Sequence, residues 1–296
     1  MQAINIRSKL TGLFFLFIFL LLVSCSARIP VGRYHLLQQS TSSLVVTTED
    51  TYIRIERLQR LFTITTAPDT TIDRNTFKPQ IEGASFDLTP ELRFRESALE
   101  VLFSYIDVLH TLALTDYLEA VNITTQKLGG SLKNFLECAT TLTPADVSAS
   151  SGIFATLMNK LTRELINQNR KEALKQAMDL AQEDIDRLSE LISRSNLKIK
   201  TAVGIMLSRI IAHANATRPD YFSIDRVPFD TDIANLIAEV EEIELSLDTM
   251  SQAWSKIANA HRETREALDK KQKSHESLQE LIKEVERMNK FYRNLY

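Results

Sequence analysis

Residues 229 to 296 contain neither glycine nor proline, and apolar side chains recur through them every seven positions. With Ile233 as position a, the a sites are Ile233, Val240, Leu247, Trp254, His261, Leu268, His275, Ile282 and Asn289. The d sites are Leu236, Ile243, Met250, Ile257, Thr264, Lys271, Leu278, Val285 and Tyr292. A strand shows a period of two, so a heptad held this long dictates helix and predicts coiled-coil-like packing of the apolar seam. The centre is polar at His261, Thr264, Lys271 and His275. Two forms satisfy that pattern: one long helix with a weak middle, or a hairpin turning near residues 268 to 274 with Ser274 capping its second arm. The run EVEEIE (239–244) reads as a solvated flank, because Val240 and Ile243 face inward between the acids. Trp254, at an a site, belongs to the core.

The rest of the chain is helical too. Glycine and proline number seven each and cluster early, at Pro30, Gly32, Pro68, Pro79, Gly83 and Pro90, whereas residues 153 to 203 have neither. Leu37, Leu44, Val45, Tyr52, Ile55 and Phe62 form one helical stripe and predict a helix over 37–64, although TSSLVVTT carries enough β-branching for strand to compete. Residues 65–89 have no period and many turn formers, as expected of a loop. Thr89-Pro90-Glu91 has the makings of a helix start, with a hydroxyl cap, proline in the first turn and an acid behind it. The helix it opens is apolar on nearly every side, so residues 91–114 are expected to be the most buried helix of the molecule. Thr115 opens a second helix, in which Gly129-Gly130 allows a kink or a close crossing. From Ile153 to His213 the period continues, with two or three helices expected. The predicted fold is all-α: an antiparallel helical bundle over 90–213, a linker over 214–229, and coiled-coil-like C-terminal helices over 230–296.

The N-terminus adds information about place. Arg7 and Lys9 precede the apolar core Leu13–Val23, which is shorter than the ~20 residues that cross a bilayer. Leu22-Val23-Ser24-Cys25 resembles the lipobox of bacterial lipoprotein precursors, a likeness that covers only about the first 25 residues. It implies cleavage before Cys25, diacylglycerol on the thiol and acylation of the new amine, leaving residues 1–24 as signal peptide and 25–36 as tether. Ser26 stands where enteric inner-membrane retention uses Asp, which favours the periplasmic face of the outer membrane in a two-membrane cell. Several acyl chains anchor firmly, at roughly 0.8 kcal/mol per buried CH₂.

Chemistry is harder to find. The leader holds two positive and no negative residues, so the body is more acidic than the chain's net −3. That balance gives no support to nucleic-acid binding. Removing Cys25 to a lipid leaves only Cys138, read as a small buried hydrophobe. The five histidines lack H-x-x-x-H and E-x-x-H spacing, so the sequence predicts no metal and no cofactor, and no nucleotide-binding or hydrolase motif is present. The best polar constellation is Tyr105, Asp107 and His110, with Asp116 and Tyr117 beyond it; Asp107 and His110, three apart, share a helical face. The reading that follows is a lipid-anchored scaffold or interaction module whose partner contacts the C-terminal helices. An envelope enzyme using Tyr105, Asp107 and His110 ranks second. A membrane-active protein, a pore former or lysis modulator, ranks last, because Arg93, Arg95, Glu96, Glu100, Asp107 and His110 burden the helix that would insert.

Overall fold

A computed structural model describes residues 29–66, 80–81, 84–85, 87–114, 118–142, 152–161, 169–218, 223–269 and 276–293. The lipobox and Cys25, the sites Asp116 and Tyr117, the Thr115 start and the Ser274 cap lie outside them. The described chain is all-α apart from a two-residue antiparallel pairing of Gln80–Ile81 with Ala84–Ser85. Its helices are α1 (Val31–Thr66), α2 (Thr89–Ala113), α3 (Leu118–Ala139), α4 (Ala155–Leu161), α5 (Arg170–Thr217), α6 (Ser223–Glu266) and α7 (Glu276–Arg293). Among these residues no helix is long and apolar enough to cross a membrane.

Helix α1 is the hub, packing against α2, α5, α6 and α7, while α3 covers α2 and the short α4 sits on α3 and α5. Polar pairs fix the directions. Gln38 bonds Asp107 and Gln59 bonds Asp87, so α1 and α2 run antiparallel. Lys200–Asp248 and Arg218–Asp230 do the same for α5 and α6. One end of the bundle therefore gathers the start of α1, the end of α2, the start of α5 and the end of α6. The exposed Arg–Asp and Lys–Asp pairs add little energy each, and it is the apolar seams that hold the bundle.

The expectation for residues 91–114 holds. In α2 sixteen of 25 residues are buried, against fifteen of 36 in α1 and seventeen of 48 in α5. Its start is built differently from the expected hydroxyl cap. Leu88 is the capping residue, without a side-chain cap bond of its own. The work is done from outside: Asp87 Oδ1 accepts from Thr89 N–H at 2.9 Å, and Gln59 Oε1 on α1 accepts from Leu88 N–H at 3.1 Å. Helix α1 begins at Val31, inside the stretch read as tether, because Tyr34, fully buried one turn before Leu37, extends the apolar stripe. The Gly129-Gly130 pair leaves α3 unbroken, and the crossing does not demand it: a Cβ on Gly129 would make an ordinary contact, 3.4 Å, with the Met158 Cε of α4, and one on Gly130 would meet nothing. The expected 214–229 linker shrinks, since α5 runs to Thr217 and α6 already contains Pro228.

The C-terminal heptads resolve into the hairpin. Along α6 the sites Val240, Ile243, Leu247, Met250, Trp254, Ile257, His261 and Thr264 are all buried. After the turn the register changes: the residues described as buried in α7 are Leu278, Leu281, Val285 and Met288, with Leu281 in the place that an unbroken heptad gives to Ile282. Ile282 flanks the seam half-buried. A turn uncouples the phases of two helices, so each arm chooses its own inward face. Glu263 of α6 supplies the acceptor for the first turn of α7, taking Ser277 N–H at 2.9 Å.

Candidate functional site

The three residues expected to form one site do not. Tyr105 and Asp107 are two apart on α2 and point to opposite faces, as helical geometry requires.

Tyr105 faces the core. Its hydroxyl lies 2.8 Å from His261 Nε2 on α6, and His261 Nδ1 lies 2.8 Å from Gln182 Oε1 on α5. Gln182 Nε2 donates to Ala258 O and to Asp186 Oδ1, which leaves Oε1 as the acceptor. His261 therefore carries its proton on Nδ1, and its bare Nε2 accepts from the Tyr105 hydroxyl. Both rings are fully buried. Burial, followed by the Arg262 and Arg265 charges, pushes the His261 imidazole down to about 3, so it is neutral at ordinary pH. Burial also holds the Tyr105 phenol well above its usual range, with Tyr34, Asp179 and Asp184 adding to it. The result is a neutral three-membered relay joining α2, α6 and α5 through the apolar core.

Tyr105 also stacks on Phe154, ring centres 5.2 Å apart. Phe154 has a positive φ of 57°, an uncommon backbone state for an aromatic residue. Its N–H donates to Asp184 Oδ2 at 2.8 Å, which fixes that conformation from α5. Burial raises the Asp184 carboxyl, and the Phe154 N–H opposes that rise. Sequence reading placed His261 at an interior a site without partners; the missing signal was that an interior polar side chain must find a donor and an acceptor from neighbouring helices.

Asp107 and His110 face α1 instead. Asp107 Oδ1 accepts from Gln38 Nε2 at 2.6 Å. His110 meets His35, ring centres 5.5 Å apart and tilted by 39°. Burial and His35 lower the His110 imidazole, while Asp107 acts in the opposite sense. Two antiparallel helices thus present a quartet, His35 and Gln38 against His110 and Asp107, at the end of the bundle where α1 begins. Among the described residues no group of three His, Cys, Asp or Glu side chains is arranged to hold an ion.

A cleft of about 570 Å³ opens over α2 between α1 and α3, where those two helices flank it. Glu49, Glu96 and Glu100 line it with Ile53, Phe103 and Cys138. Burial, then Glu56 and Glu49, raises the Glu96 carboxyl. Cys138 is half-buried at this cleft and packs against the edge of the core, its Sγ 3.9 Å from Asn134 Oδ1. No protein-family model, curated protein or solved structure matches the chain.

Proposed function

We propose that the protein is a lipid-anchored helical bundle acting as a scaffold or interaction module on the periplasmic side of a bacterial envelope, in the outer membrane where the cell has two. The observation that carries the reading is the spacing between Cys25, at the end of a lipobox, and Val31, where α1 begins. Six residues reach at most ~20 Å. An acylated Cys25 would hold the α1 end of the bundle against the headgroups, with the α5–α6 tip directed away; α5, 48 residues long, spans ~72 Å. A rigid body that long on a short lipid tether suits holding a partner at a set height above a membrane.

The partner surface falls on outward faces. The α7 stripe of Leu278, Leu281, Val285 and Met288 is already covered within the chain. Among the described residues of the C-terminal half, Leu197, Ile205 and Val227 are the exposed large apolar ones, Leu197 and Val227 at 67% and 70% exposure. Separation of Tyr105 from Asp107 and His110 leaves the enzyme alternative without an assembled site. Growth with a radioactive fatty acid tests the anchor: wild type becomes labelled and membrane-bound, and Cys25→Ser does neither. Equal labelling of the two chains overturns the proposal.

A further inference from the structure

We propose that His35 and His110 together form a binding site for a borderline divalent cation, zinc above all. Nothing in the sequence pairs these residues, which are 75 positions apart; the antiparallel contact of α1 and α2 brings them together. Zinc binds imidazole nitrogen at ~2.0–2.1 Å, and that nitrogen lies ~1.1 Å from its ring centre, so a near-tetrahedral pair sharing one ion has ring centres ~5.2 Å apart. The observed 5.5 Å lies close to that separation.

The donors are also held in place. Each histidine is followed or preceded by fully buried anchors of its own helix, Leu37 after His35 and Leu109 before His110, so neither backbone can drift. Around the pair, Asp107 lies one turn before His110 and Gln38 one turn after His35, bonded to each other. This places a fixed negative charge beside the ion. Two imidazoles favour zinc, copper or nickel over magnesium or calcium, which need oxygen donors. With only two protein donors, one fewer than a catalytic zinc site has, the ion keeps two positions for water or for a donor carried by another molecule. The proposal is independent of whether Cys25 is acylated.

The test is calorimetric titration of the full chain in detergent micelles with zinc chloride alone. Wild type should bind one zinc saturably, and His35→Ala and His110→Ala should each weaken that binding at least tenfold. His213→Ala, at an exposed position far along α5, should bind like wild type. Circular dichroism confirms that all three variants fold, since His35 is exposed and His110 only half-buried. Absence of stoichiometric zinc binding by wild type overturns the proposal, and so does a site that survives either His35→Ala or His110→Ala.

Discussion

Tyr105 and His261, 156 residues apart in sequence, meet at 2.8 Å inside the core, with the phenol donating to the imidazole. An apolar core gains its energy without such a pair, so its effect is to fix which helix faces which. Tyr105→Phe leaves His261 Nε2 buried without a donor and should cost ~1–3 kcal/mol. The double replacement Tyr105→Phe, His261→Phe should cost less than the two single effects added, with a coupling of ~0.5–3 kcal/mol in urea melts. Additive costs would show that the pair contributes nothing as a pair.

Stability should depend on pH through the same imidazole. His261 binds a proton near pH 6.5 in the unfolded chain but only near about 3 when folded. Its contribution is therefore complete above the unfolded value and is lost as pH falls from there toward the folded one. The slope is ~1.4 kcal/mol per pH unit in that window. Denaturant melts between pH 7.5 and 4.5 measure it. His261→Gln, which retains an acceptor for Tyr105, should remove that part of the slope; an unchanged slope would assign the acid sensitivity to other groups.

Burial of α2 sets a third expectation. Leu102 and Ile106 are at 0% and 1% exposure, so replacing either by Ala should cost ~2–5 kcal/mol. Ile123 on α3 is 62% exposed, and Ile123→Ala should stay within ~0.5 kcal/mol of wild type. A loss under ~1 kcal/mol at Leu102 in chemical melts would show that the site collapses around the missing methyl groups.

What could be read from the sequence was periodicity, and what could not was phase across breaks. The all-apolar character of residues 91–114 marked the central helix, because no face was left for solvent. The α6 heptad was legible from Val240 to Thr264 for the same reason, one inward face kept over many turns. What was not legible at two helix starts is the acceptor that a distant residue supplies: Gln59 of α1 takes the Leu88 N–H before α2, and Glu263 of α6 takes the Ser277 N–H of α7. The grouping of Tyr105 with Asp107 and His110 failed on elementary geometry, since residues two apart on a helix diverge. Their true partners, His261, Gln38 and His35, lie on other helices, and no local spacing announces a contact between helices.

The register of α7 gives the sharpest test of the hairpin. If one heptad ran unbroken through the turn, Ile282 would be an a residue and Leu281 would sit beside the seam. The structure reverses their roles: Leu281 is fully buried where α7 packs on α1 and α6, and Ile282 is only half-buried. Leu281→Ala should accordingly cost ~2–5 kcal/mol and Ile282→Ala distinctly less, because only the first leaves a closed cavity. Ending the chain near Leu268 should cost more than either, since it uncovers the apolar faces that α1 and α6 turn toward α7. Guanidinium melts followed by circular dichroism measure all three. If Ile282→Ala were the more damaging substitution, the heptad would continue in phase through the turn. If the shortened chain kept wild-type stability, α7 would be peripheral and its stripe free to take a partner.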